Sequence, residues 1–505
     1  MSEGSSYRQI LRSSWIIGGA SVANILIGLA RAKIAAVLLG PAGIGLIGLF
    51  TNLVATASVV AGLGFGSVGT RQIAEASGRQ DTNGVAAARR ALFFGTLILA
   101  VLGGIVFWSL RNLLAIHVLG DVTFSSEIGW LAIAVALTVA SASQGALLNG
   151  LRRIGDMARV SVITAVFSTV AGILAIFWFG RAGVVAFVIA TPFASFVIGH
   201  VYVLRLPKLS VGPTSIGQLS DQWRTFTRLG ATFMLASLVG TVGQLAVRTI
   251  VQRELGIDAL GHFQATWAIS MTYIGFVLGA MGTDYYPRLT AVMNDHSSVN
   301  RMVNEQSEVA LLLAGPAFLA MVGLAPWIIE TMYSKQFDPS AELLRWQVLG
   351  DILKVASWPL GFVLLAAGDG RAFLVTEALA MLVFSSISYF LLPVVGLNAV
   401  AIAFVGLYAF YLPTVHFLAR RRTGFRWSQP VRIQLLLVLT TATIVAIVAS
   451  YSAAMGMVLG CVIATALGVH AVHKLVRRAS DNATGESFSR KLISIYRRIV
   501  QRKES

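Results

Sequence analysis

Arg31, Lys33, Arg248, Asp351 and Lys354 lie in stretches that are otherwise strongly apolar. An ionisable side chain deep in a membrane helix costs at least about 2.5 kcal/mol on insertion scales, so each of these residues implies a partner or a ligand. Ser14, Gly18, Ser21, Asn24, Gly28 and Arg31 recur at steps of three and four, which puts them on one helical face. Small and polar side chains ending in a guanidinium suit a hydrated cavity that holds an anion. Ser237, Gly240, Gln244 and Arg248 repeat that chemistry in the second half. Lys33 lies about 200° around an ideal helix from Arg31, so both point inward only if the helix bends near Gly28. The competing readings are snorkelling of the cationic stems and close packing at the small residues.

Asp351 and Lys354 fall in WQVLGDILKV (residues 346–355) at i and i+3, where they can pair on one face. Asp284 and Arg288 in TDYYPRL are spaced i and i+4 about Pro287, which is expected to break the helix. That segment, like Gly40–Pro41, reads as a hinge or gate at the membrane interface.

The elements that position these groups follow from composition. The chain has 505 residues, 56% hydrophobic and only 12% charged, with a net charge of +17. Such a balance excludes an ordinary soluble domain. A crossing takes roughly 20 apolar residues. Windows of that kind cover residues 13–38, 43–67, 88–110, 127–150, 158–179, 182–204, 227–251, 263–286, 308–333, 343–366, 372–392, 396–419, 432–451 and 453–473. The expected fold is therefore an all-α integral membrane protein of about fourteen transmembrane helices. Cations cluster in alternate connections, as in Arg71 to Arg90, Arg152 to Arg159 and Arg420 to Arg422. The opposite side carries only Arg111, Arg181, Arg253, Lys335 and Arg345. This asymmetry predicts that both termini are cytoplasmic and accounts for the basic charge without nucleic acid. The single cysteine, Cys461, excludes an intramolecular disulfide and a cysteine metal site, and no cofactor is expected.

Shifted by 216 residues, the sequence superimposes its first six windows on the next six: Gly40 falls on Gly256, Gly45 on Gly261, Trp130 on Trp346, Gly180 on Gly396 and Arg205 on Arg421. An even number of crossings per repeat gives parallel halves related by an axis along the membrane normal. The expected domains are an N-lobe at 1–207, a C-lobe at 208–422, an accessory hairpin at 423–474 and a cytoplasmic tail at 475–505. In the tail, Phe488, Leu492, Ile495 and Ile499 share a face opposite Arg490, Lys491, Arg497 and Arg498, which suits anionic headgroups.

LGPAGIGL at 39–46, Lys33 seven residues before Gly40–Pro41, YYPRLT at 285–290 and WQVLGDILKV resemble the Wzx-type flippases of O-antigen and enterobacterial common antigen. These belong to the multidrug/oligosaccharidyl-lipid/polysaccharide exporter superfamily, and the likeness covers windows one to twelve. It implies a V-shaped, two-lobed, alternating-access transporter in the bacterial inner membrane. The implied substrate is a polyprenyl-diphosphate-linked oligosaccharide for O-antigen or exopolysaccharide, moved from the cytoplasmic to the periplasmic leaflet. Membrane lipids, a polysaccharide polymerase and a chain-length regulator are the further expected partners, and the chain is expected to be monomeric. Arg31, Lys33, Arg248 and Lys354 become candidate diphosphate contacts, Asp351 and Lys354 a coupling pair, and Ser21, Asn24, Gly28 and Gln244 cavity lining. The final hairpin and tail have no counterpart in many relatives.

A membrane polymerase or ligase would need a large outer loop, whereas these outer connections are short and carry no Walker A, HExxH or GxSxG motif. A multidrug or cation antiporter would need an acidic cavity, and a lipid II flippase would change the substrate alone. Reporter fusions at the C-terminus and in the connection 71–90 should both give cytoplasmic signals; an outer signal at the C-terminus would require an odd number of crossings.

Overall fold

The computed structural model of the chain describes residues 3–207 and 216–481. The amphipathic tail expected at 487–503 and the side chain of Ser14 lie outside the described residues. The long elements, in order, are α1 (Glu3–Gly62), α2 (Phe65–Gly78), α3 (Thr82–Ser109), α4 (Arg111–Leu114), α5 (Ser125–Gly150), α6 (Ile154–Phe179), α7 (Gly183–Leu204) and α8 (Ile216–Ala291). They are followed by α9 (His296–Gly323), α10 (Ala325–Met332), α11 (Pro339–Ala366), α12 (Gly370–Val395), α13 (Asn398–Thr423), α14 (Gln429–Tyr451) and α15 (Ala453–Asp481). No strand occurs among the described residues.

Eleven helical stretches of the described residues are long and apolar enough to cross a membrane. Three of them run 45, 51 and 58 residues, too long for one crossing. Each is interrupted, at Gly40, at the short turn Gly180–Ala182 and at Gly256. Gly40 (φ 64°, ψ −168°) and Gly256 (φ 82°, ψ −179°) share a conformation essentially confined to glycine. Gly180 and Gly396 likewise share positive φ, 55° and 61°. Both pairs are spaced by 216 residues, the offset at which the sequence superimposes on itself.

Two compact units divide the chain. The first comprises Met1–Thr266, Ile329–Ser340 and Glu377–Ala403. Within it, a Cβ on Gly45 would meet Ile257 O, and a Cβ on Gly261 would meet Pro41 O. These contacts are reciprocal, because Pro41 and Ile257 are also 216 apart. The two kinked helices therefore meet about a local twofold axis, backbone against backbone, as small residues permit in membranes.

The second unit comprises Trp267–Ile328, Ala341–Thr376 and Phe404–Ser505. Here α14 and α15 dock on α9. Gly315 leaves room for Val438, Gly323 faces Gly456 and Gly460 of a GxxxG pattern, and Lys474 Nζ reaches Glu308 at 2.6 Å. The basic linker after α13 is tied to α9 as well: Asn300 donates to Thr423 O, Asn304 donates to Arg426 O and Ser428 N–H donates to Asn304.

Some sequence boundaries shift. The window 43–67 stops at Gly62, and 308–333 divides between α9 and α10. The connection 71–90 is largely helical, because Phe65, Val68 and Ile73 of α2 are buried with Leu92 and Leu147 while Arg71 pairs outward with Glu75 at 2.7 Å. The break expected at Pro287 does not occur: α8 continues to Ala291, since one missing N–H so near a helix end removes a single bond. Nor does α1 bend at Gly28; its only non-helical residue is Gly40.

Gly261→Ala should lower the thermal midpoint of the detergent-purified protein, at a cost of about 1–3 kcal/mol for overpacking against Pro41. A Cβ on Gly240 meets nothing within 4 Å, so Gly240→Ala should be neutral or stabilising by up to about 1 kcal/mol. Equal midpoints for the two variants would refute the close-contact account.

Candidate functional site

In the first unit, α1, α5, α6 and α7 enclose a cavity of about 440 Å³. Asn24, Gly28 and Arg31 supply the α1 wall, as their spacing on one face requires. The opposite walls are rich in hydroxyls: Ser161, Thr164, Ser168 and Thr169 from α6, Thr191 and Ser195 from α7, and Ser141 with Gln144 from α5.

Among the described residues, Arg31 is the only charged one in the lining, which contains no carboxylate. Its Nη1 donates to Thr191 Oγ1 at 2.7 Å and to Ser168 Oγ at 3.3 Å, and its Nη2 donates to Phe187 O at 2.9 Å. The guanidinium also lies 4.0 Å from the centroid of the Phe187 ring. A cation on an aromatic face gains about 0.5–2 kcal/mol, more where water is excluded. Phe187 reaches this position because Gly172 of α6 leaves room for its ring. Across the cavity, Asn24 Nδ2 donates to Ser161 Oγ at 2.7 Å.

Several polar atoms of the lining are buried without a hydrogen-bond partner: Asn24 Oδ1, Arg31 Nε, Gln144 Oε1, Thr164 Oγ1 and Thr169 Oγ1. Such atoms are rare in folded proteins and call for an explanation. Together they offer acceptors, hydroxyls and one cationic donor, the complement of a polyhydroxylated group that carries negative charge.

The other expected residues sit elsewhere. Lys33 Nζ donates to Glu330 O at 2.9 Å, close to the end of α10, so the straight helix turns Arg31 and Lys33 to different partners. Arg248, 3% exposed, donates from Nε to Gln264 Oε1 at 3.2 Å and from Nη1 to Gln244 O at 3.2 Å and Gln244 Oε1 at 3.4 Å. Gly48 leaves the space that Gln264 fills. Neither Lys33, Arg248 nor Gln244 lines the Arg31 cavity, and neither does Ser21.

In the second unit, Asp351 is fully buried and accepts from Ser270 Oγ at 2.6 Å. Its Oδ1 has no hydrogen-bond partner, nor does Nε2 of Gln347 one turn earlier, itself 1% exposed. Lys354 Nζ lies 3.2 Å from Met271 Sδ and 5.8 Å from the Tyr408 ring centroid. Asp351 and Lys354 thus address consecutive residues of α8. At the end of that helix, Asp284 and Arg288 form an exposed pair at 2.9 Å, and Tyr285 anchors inward by donating to Pro359 O at 3.0 Å.

With this geometry described, comparison with known proteins is decisive at the level of family. Residues 34–342 match the polysaccharide biosynthesis protein family. The chain belongs to that family. The matched region begins just after Lys33 and ends before Asp351, so it includes Arg248 and Ser270 but not Arg31, Gln347, Asp351 or Lys354. Lipid III flippase of Escherichia coli (strain K12) is 23% identical over 427 residues, covering 82% of this chain and 99% of that protein. Its Shigella flexneri counterpart matches to the same extent. Among solved structures, an inward-facing multidrug resistance MATE family transporter of the MOP superfamily superposes with a TM-score of 0.69 at 18% identity, covering 79% of this chain and 94% of that one. Lipid II flippase MurJ in its inward closed conformation gives 0.66 at 12% identity, covering 92% and 100%. This member of the family accordingly has the all-α, multi-pass membrane fold of those transporters.

Ser270→Ala should cost about 1–3 kcal/mol by depriving buried Asp351 of its donor. Thr272→Ala removes a hydroxyl bonded only to its own helix at Ala268 O and should change the midpoint little. Thermal denaturation of the two variants side by side tests the assignment.

Proposed function

We propose that this protein flips a polyprenyl-diphosphate-linked oligosaccharide from the cytoplasmic to the periplasmic leaflet of the bacterial inner membrane, for surface polysaccharide. The observation that carries the reading is the hydroxyl-rich cavity whose only charge is Arg31, in a chain of the polysaccharide biosynthesis family. Alignment along almost the full length of a lipid III flippase supports the substrate class.

A sugar headgroup cannot cross hydrocarbon unaided, because each unpaired hydroxyl costs some kcal/mol and the diphosphate far more. The cavity supplies hydroxyl and carboxamide partners for the sugars and a guanidinium for an anionic group. The isoprenoid tail remains in lipid throughout. Two six-helix repeats, 1–207 and 208–422, alternate access as the substrate shifts the balance between two packings. Asp351 and Lys354 act as the coupling pair, while Gly40–Pro41 and the segment Asp284 to Arg288 act as hinges. Both termini face the cytoplasm. The transporter works as a monomer and delivers its product to a polymerase and chain-length regulator.

A multidrug antiporter shares the fold. Cationic drugs require carboxylates at the site, and the Arg31 cavity has none among its lining residues. An anionic glycolipid is the better electrostatic match.

Arg31→Ala should reduce export of the glycan at least about a hundredfold, and Arg31→Lys about tenfold, since lysine keeps the charge but loses the fork of donors and the ring stacking. Surface glycan is measured against protein level in the membrane. Normal export by Arg31→Ala at normal level would remove the cavity from the transport path.

A further inference from the structure

Another cavity, of about 460 Å³, opens among α3, α5 and α7, and Gln144 lines it as well as the one that holds Arg31. Its polar wall is basic: Arg89 and Arg90 come from α3 and His200 from α7, with no carboxylate in the lining among the described residues. Gln144, 7% exposed, contributes a carboxamide whose oxygen has no hydrogen-bond partner. The two arginines lie about 11 Å along α3 from its start, behind the cap in which Asp81 accepts from Gly84 N at 2.8 Å. One turn further along α3 the lining becomes aromatic, with Phe93 and Phe94 48% and 46% exposed on an apolar helix face.

Charge and apolar surface thus follow each other along the helix in the order in which a lipid presents phosphate and hydrocarbon. Two guanidiniums match phosphate oxygens in geometry and charge, and exposed aromatic rings suit a chain lying beside them. We propose that this cavity binds the phosphate of a membrane lipid, with the lipid chain laid along Phe93 and Phe94. The site rests on the membrane-spanning fold and not on the transport reading, so the two can fail separately. The lipid is either the phosphorylated isoprenoid carrier or an ordinary anionic phospholipid. These share the phosphate that Arg89 and Arg90 recognise.

The full-length protein, purified in detergent, is titrated with polyprenyl phosphate and with phosphatidylglycerol, and bound lipid is read by native mass spectrometry. Polyprenol and diacylglycerol serve as phosphate-free counterparts. Phosphate should improve binding at least about tenfold in the wild type. In an Arg31→Ala background, which removes the guanidinium proposed above for the substrate's anionic group, the Arg89→Gln, Arg90→Gln double variant should lose that preference, and Arg89→Lys, Arg90→Lys should retain it to within about threefold. Whichever phosphate lipid binds tighter is the source. Arg31→Ala should leave the preference intact; its loss there would place the phosphate in the Arg31 cavity and overturn the proposal. Equal binding of phosphate-free lipids to the wild type, or an unchanged preference in the glutamine variant, would do the same and leave Arg89 and Arg90 as snorkelling residues. Should the glutamine variant fold poorly, a benzophenone at position 204, on the rim, should crosslink to bound phosphate lipid in the otherwise native chain, and its failure to do so would also overturn the site.

Discussion

A guanidinium inside a membrane helix must find partners in the protein, and Arg31 meets most of that need on its neighbours while its Nε is left without one. It finds two hydroxyls, one carbonyl and one aromatic face on two neighbouring helices. Those partners fix the register of α6 and α7 against α1. Ser168 and Thr191 must come to the same height, and Gly172 must face Phe187 so that the ring can lie beneath the cation. What they do not provide is a countercharge. The cavity is a neutral cradle around a positive centre, which is the condition for attracting an anion without first breaking an ion pair.

The duplicated scaffold makes this asymmetry informative. Gly40 and Gly256 break their helices alike, and Gly45 and Gly261 bring those helices together in reciprocal contact. The polar residues of the Arg31 and Asp351 clusters do not repeat position by position. At the 216-residue offset, Arg31 falls on Val247, Ser168 on Phe384, Phe187 on Ala403 and Thr191 on Leu407. Conversely, Asp351 falls on Val135, Ser270 on Val54, Gln347 on Leu131 and Lys354 on Thr138. Each cluster is thus found in one repeat only, and the residues that build it differ together. The glycine contacts tolerate no side chain, and they are shared at positions 216 apart. The chemistry is not shared, with a cationic hydroxyl cavity in one half and a buried carboxylate in the other.

How much could be read from sequence follows from the same physics. Asn24, Gly28 and Arg31 were legible because one helical period carries them all. Arg31's partners were missed although Ser161, Thr164, Ser168 and Gly172 recur at helical steps along α6, and Thr191, Ser195 and Gly199 along α7. Hydroxyls in apolar helices commonly bond to their own backbone, as Thr138 and Thr272 do, so a stripe of them carries no clear direction until a donor is found opposite. The relation of Lys33 to Arg31 was decided by helical angle alone, and the helix proved straight where a bend would have been needed. The α2 helix escaped a search for apolar windows because it is amphipathic and buries only one face, with Phe65, Val68 and Ile73.

Arginine at position 31 also constrains how any bound group can leave. A guanidinium keeps its proton throughout the accessible pH range, so the positive centre cannot be switched off by deprotonation. In the transport reading proposed above, release of an anion therefore comes from geometry, through a change in the donors around it, or through hydration of the cavity. Asp351, held by Ser270 in the other repeat, is an ionisable group of a different kind, a carboxylic acid able to take up or give up a proton. The permanent cation and the carboxylic acid thus belong to different compact units of the chain. In the transport reading proposed above, a permanently charged site can hold an anion firmly and still release it if what alters is the number of partners around the cation and not its charge.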